Sequence, residues 1–154
     1  MTPTPTLYDW AGGRPAFDRL TEVFYGRVRE DDILAEVFAH LPEDHPSHVA
    51  TWLAEVFGGP PEYTERHGGY GHMVRKHLGL ALTEEQRSRW VTLILACGDE
   101  AGLPADPEFR SAFAAYVEWG TRLALANSQP GATPPLEAPV PRWGWGEAPP
   151  YDGA

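Results

Sequence analysis

Six histidines have the widest chemical reach in this sequence: His40, His45, His48, His67, His72 and His77. None belongs to an H-E-x-x-H pair, so the simplest helical zinc motif is absent. His45 and His48 stand three apart at an expected helix start, and His72 and His77 five apart. The first spacing allows a two-histidine metal pair, and ordinary surface or capping roles explain it as well. His77 differs. It sits in M-V-R-K-H-L-G-L-A-L, residues 73–82, with apolar neighbours on both sides and no carboxylate close by in sequence. A neutral imidazole facing an apolar cavity suits axial ligation of a porphyrin iron. Tyr25, beside Phe24, and Trp90, at the start of a later apolar face, are aromatics with polar tips. They can pack in a core with a bond to the backbone, or donate hydrogen bonds to a small ligand in a dry cavity.

Other chemistries find little support. There is no G-x-S-x-G elbow. Cys97 falls on an apolar helical stripe, which favours a buried, inert thiol. Gly12-Gly13 is not followed by G-K-[ST]. The pairs Asp31-Asp32 and Glu84-Glu85 fall at helix starts or turns, where carboxylates favour the helix dipole.

The elements that must carry these side chains are helical. Long proline-free stretches cover 16–41, 47–59, 62–103 and 108–129. Phe17, Leu20, Phe24 and Val28 repeat at three- and four-residue steps, as do Val49, Trp52, Leu53 and Val56. Trp90, Leu93, Ile94 and Cys97 follow the same rule, and so do Phe109, Phe113, Tyr116, Val117 and Leu123. Thr83-Glu84-Glu85-Gln86 fits a capping box. Asp106-Pro107-Glu108 gives a cap followed by proline in the first turn. Helices ending at Phe57 and near Ala101 meet Gly58-Gly59 and Gly102, which tolerate a left-handed cap. Strand-like alternation is missing, so the fold class is all-α, with five or six helices expected. The stretch GGPPEYTERHGGYGHM holds five glycines and two prolines in 16 residues and reads as a long loop.

Length and composition set the outer bounds. The 154 residues suit one domain and bury enough surface for a real core. Lys plus Arg number 12 against 22 for Asp plus Glu, a formal charge of −10, which argues against nucleic acid and anionic membranes as main partners. No apolar run is long enough to span a bilayer, and the opening MTPTPTLYDW has no secretory pattern. A single cysteine excludes an internal disulfide and any multi-cysteine metal site. The expected location is cytoplasmic. Seven of the 16 prolines fall from Pro130 onward, which excludes regular helix there. Trp143, Trp145 and Tyr151 leave two readings for this stretch: an extended arm docked through its aromatics, or a solvated tail.

Several features in order resemble the truncated haemoglobins. They are F-Y at 24–25, the apolar helix ending in F-G-G-P at 57–60, Tyr63, the glycine-rich stretch, M-x-x-x-H at 73–77 and R-W at 89–90. The tryptophan at the start of the penultimate helix resembles the second group of that family. The resemblance covers about residues 7–127. It implies a two-over-two helical sandwich, with a short or missing first helix and a loop replacing most of the helix before the iron ligand. It divides the chain into a haem-binding domain, 1–129, and a proline-rich extension, 130–154.

By the same resemblance His77 is the iron ligand of a haem b. Tyr25 and Trp90 face the bound ligand, and Phe38 packs on the same face of the haem. Val49 and Leu53 face the haem from the preceding helix, and Leu78, Leu80 and Leu82 line the histidine side. Arg75, Lys76 and Tyr63 pair the propionates. His45 lies one turn before Val49, as a ligand-side histidine, a propionate partner, a solvent gate, or a cap residue pointing outward beside Pro46. The implied function is binding and transport of O2, with CO and NO as further ligands, in a monomer or homodimer. One alternative is a haem enzyme, an NO dioxygenase or peroxidase-like protein fed by an external redox partner. Another is a haem-free helical interaction module using the aromatic arm.

Overall fold

The computed structural model describes residues 3–151. Among them are eight helices and no strand: α1 Leu7–Ala11, α2 Arg14–Val28, α3 Leu34–Val37, α4 His45–Val56, α5 Glu62–His67, α6 Gly69–His77, α7 Glu84–Glu100 and α8 Pro107–Asn127. The count exceeds the five or six expected because α1, α3 and α5 are pieces of four to six residues that hydrophobic periodicity is too coarse to detect. No helix among the described residues is long and apolar enough to cross a membrane.

Four long helices make two packed pairs. α2 lies on α4, α7 lies on α8, and α2 also packs on α7. The periodic residues explain this arrangement. Phe17, Leu20, Phe24 and Val28 of α2, Val56 of α4, Ile94 and Cys97 of α7, and Phe109, Phe113 and Val117 of α8 are all buried in one core. Each fully buried large apolar side chain stabilises the fold by roughly 1.5–3 kcal/mol. Local signals set the ends. Thr83 and Gln86 form the reciprocal capping box of α7, and Asp106 accepts from Phe109 N–H at the start of α8.

The glycine-rich stretch departs from expectation. It is two short helices, α5 and α6, rather than a loop, and α6 carries His77 on a full helical segment. Gly68 joins them at φ +91, in the left-handed region where side chains are disfavoured. α5 is too short to stand alone and is tied to α4 from outside. The buried Glu55 carboxylate accepts from Thr64 N–H at 2.9 Å and from its hydroxyl at 2.5 Å. A carboxylate at a helix start also favours the dipole. Glycine elsewhere in α6 serves close approach: a Cβ on Gly71 would stand 2.7 Å from the Leu136 carbonyl oxygen.

Past Asn127 the described residues form no regular element and lie against the body. Val140 is buried. Trp143 N–H donates to the Val56 carbonyl at 2.7 Å, and its ring meets Tyr116 edge-on with centroids 5.4 Å apart. Trp145 Nε1–H donates to the Pro5 carbonyl at 2.9 Å and its ring meets Trp10 at 5.5 Å.

Candidate functional site

Three elements bring polar-tipped aromatics together. Tyr25 is one residue past Phe24 on α2, so it points about 100° around the helix from the core stripe, toward α4. It is buried, 5% exposed. Its hydroxyl lies 3.0 Å from His45 Nε2. Phe38, just after α3, closes the group, 5.8 Å from the Tyr25 ring and 6.3 Å from the His45 ring between centroids. Asp44 occupies the cap position of α4, and His45 is its first helical residue, turned inward to Tyr25. Of the alternatives open for His45, the outward-pointing cap is not what forms. The pairing of His45 with His48 as metal ligands also dissolves. His48 Nε2 lies 3.3 Å from Asp44 Oδ2 and its ring is 4.2 Å from that of His67. Among the described residues no group of three or more His, Cys, Asp or Glu is placed to hold a metal ion.

Burial decides the charge state of this group. It holds His45 down at about 4, helped by the positive charges of Lys76, His48 and His77, with Asp44 opposing. It also pushes the Tyr25 phenol well above its usual range. Both partners are neutral at pH 7. Either Tyr25 donates to Nε2 or Nε2–H donates to the phenol oxygen, according to the imidazole tautomer. Tyr25 and Phe38 also border a cleft of about 350 Å3 shared with Val28, Arg29, Leu41, Pro42 and Pro46. Trp90 joins the group through Phe24, whose ring lies 5.0 Å from both Tyr25 and Trp90. Next to Trp90, Arg89 Nε donates to the buried Asp31 carboxylate at 2.5 Å. Asp31 in turn accepts from Ile33 N–H and Leu34 N–H, both at 3.0 Å. In the sequence Asp31 reads as a carboxylate at a helix start or turn. Its second role, tying α7 to the α2–α3 turn, joins residues 58 apart and has no local signal.

His77 ends α6, half-buried. Its Nδ1 lies 2.9 Å from the Met73 carbonyl one turn back. Burial lowers its pKa, the Met73 bond opposes that, and Lys76 adds to the lowering. A neutral ring keeps one proton, and the carbonyl calls for it at Nδ1, which leaves the Nε2 lone pair bare. An imidazole oriented through its other nitrogen in this way is the usual arrangement of a metal-ligating histidine. This donor set, with a buried phenol on α2 and a half-buried indole on α7, fits an iron porphyrin. The Met73 carbonyl is a contributor that sequence reading passed over, although the M-x-x-x-H spacing contains it.

The remaining candidates are dispersed. Val49 is half-buried and Leu53 buried on α4. Tyr63 is 1% exposed and faces Trp52 at 5.1 Å and His67 at 5.3 Å rather than the Tyr25 group. Burial pushes its phenol up to about 12. Arg75 and Lys76 are exposed on the last turn of α6. Leu82 is half-buried, while Leu78 and Leu80 are 39% and 55% exposed.

The sequence pattern of the bacterial-like globins matches residues 6–110. The chain belongs to the bacterial-like globin family. It is similar to a group 1 truncated haemoglobin of Nostoc commune, 35% identical over 80 residues, which cover 51% of this chain and 64% of that protein, a little under two thirds of its length. It is also similar to a group 2 truncated haemoglobin of Bacillus subtilis, 28% identical over 94 residues, covering 61% of this chain and 70% of that one. Among solved structures, the haemoglobin of Chloroflexus aurantiacus superposes with a TM-score of 0.70 at 31% identity, covering 79% of this chain and 98% of its own. The all-helical sandwich is thus a truncated-globin fold. Membership of the family implies haem-based binding of small ligands.

Proposed function

We propose that this globin binds haem b through His77 and receives O2 and other diatomic ligands on the side of Tyr25 and Trp90. The observation that carries the reading is the neutral, half-buried His77 ring, its Nδ1 held by the Met73 carbonyl. Haem, when bound, would supply an iron able to take up a diatomic ligand. His77 offers the Nε2 lone pair, and the Met73 bond keeps the ring from turning. Tyr25 O–H and Trp90 Nε1–H donate to the ligand, each neutral bond contributing about 1 kcal/mol. His45, neutral and bonded to Tyr25, sets the direction of the phenol proton. Phe38, Val49 and Leu53 supply apolar walls that keep water from competing for those donors, and Leu82 lines the His77 side. Arg75, Lys76 and Tyr63 pair the propionates, which suits cationic and hydroxyl donors facing carboxylates.

The test is an absorption spectrum of the purified protein, oxidised, reduced with dithionite, and CO-bound. A Soret band that sharpens and shifts with CO is expected. No Soret band after haemin addition overturns the reading.

A further inference from the structure

The loop from Leu78 to Leu82 follows His77 directly, and little apolar packing holds it, since Leu78 and Leu80 are exposed and Leu82 only half-buried. Yet it is held in an unusual shape. Ala81 has φ +51, and it is the one non-glycine residue with positive φ among the described residues. Such a conformation persists only where surroundings over-determine it. The surroundings here are two residues at the end of α8. Ala81 N–H donates to the Ser128 carbonyl at 2.8 Å. Leu82 N–H donates to Ser128 Oγ at 3.0 Å, and Gln129 Nε2–H donates to the Leu82 carbonyl at 2.9 Å. Ser128 is fully buried, and its own hydroxyl donates to the Leu125 carbonyl at 2.8 Å, leaving its lone pairs for the loop. Gln129 is steadied by a second bond to Leu125 at 2.8 Å.

The constraint reaches back to the histidine. Leu80 N–H donates to the His77 carbonyl at 3.2 Å and Leu78 N–H to the Arg75 carbonyl at 3.3 Å, so the turn moves with the end of α6. We infer that Ser128 and Gln129 are positioning residues for His77: they latch the loop after it and thereby fix how its ring is presented. The inference rests on the reading of His77 as the iron ligand.

Two variants test it. Ser128→Ala removes the acceptor for Leu82 N–H and keeps the carbonyl that serves Ala81. Gln129→Glu removes the donor to Leu82 and keeps the size. In the reduced, haem-loaded protein each variant should shift and broaden the iron–histidine stretching band in resonance Raman. Haemin transfer to apomyoglobin should speed up roughly tenfold, with haem content unchanged, as expected for loss of one buried hydrogen bond. In the haem-free chain the Ala81 and Leu82 amides should lose protection from hydrogen exchange. If Ser128→Ala does not fold, Gln129→Glu carries the test alone. Unchanged Raman bands in the folded variants, with His77→Ala losing its Soret band, overturn the latch and leave the ligand assignment standing. A His77→Ala protein that keeps both the Soret and the iron–histidine band overturns the ligand assignment itself.

Discussion

The Tyr25 side and the His77 side of the candidate site are built in different ways. Tyr25, Phe38 and His45 come from three elements packed on the main core, and side chains hold one another there: one hydrogen bond of 3.0 Å and edge-on rings. His77 ends a nine-residue helix containing two glycines and is followed by exposed leucines. It is held through the backbone of its own segment: the Met73 carbonyl takes the ring, Gly71 packs close to the Leu136 carbonyl, and Ser128 and Gln129 bond the backbone of residues 81–82. The first side depends on shape and burial and tolerates backbone change. The second depends on tethers to its backbone, among them the side chains of Ser128 and Gln129.

Several substitutions break or sharpen this contrast. The largest effect is expected at His77. His77→Ala should abolish stable haem binding, read as loss of the Soret band, while far-ultraviolet circular dichroism stays helical. Next is Gly71→Ala, which gains helix propensity but forces a Cβ against a backbone oxygen. Overpacking should win, lowering stability by about 1–3 kcal/mol in thermal unfolding. Cutting the chain after Gln129 should remove that penalty, because Leu136 departs with the arm; a penalty of equal size in the shortened chain would place the clash elsewhere. On the opposite side, Tyr25→Phe and Trp90→Phe should each accelerate O2 dissociation several-fold in stopped flow, consistent with about 1 kcal/mol per lost bond. Wild-type rates in both variants would remove these donors from the ligand's surroundings.

The smallest expected effect concerns pH. The folded-state pKa of His45 is depressed to about 4 by burial first and by neighbouring positive charge second. Unfolded His45 takes up a proton near 6.5, so the unfolded state binds protons first as pH falls. The stability it contributes is present above about pH 6.5 and is lost between there and about pH 4. His67, His72 and His77 are depressed in the same direction. In the haem-free chain His45→Gln should therefore flatten the acid loss of thermal stability without removing it. An unchanged pH profile would show that His45 is not the buried titrating group.

Much of the fold is legible in the chain itself. The stripes at 17–28, 49–56, 90–97 and 109–117 are the buried faces of α2, α4, α7 and α8, because a helix places every third or fourth residue on one side whatever surrounds it. Thr83 and Asp106 are caps because their partners lie three residues away. The residues 58–73 mislead, since glycine and proline there suggest a loop. Two short helices form instead because Glu55 bonds Thr64 from another element and Gly68 and Gly69, both at positive φ, confine the break to one point.

The site divides along the same line. Residue type and spacing single out His77, Tyr25 beside Phe24, and Trp90 as candidates. The inward turn of His45, the tie from Asp31 to Arg89 and the grip of Ser128 on Leu82 join residues 20, 58 and 46 apart in the chain. Each needs a bond of fixed length between helices whose approach is set by packing of the whole core. Local periodicity carries no information about that approach, so only the folded molecule decides it.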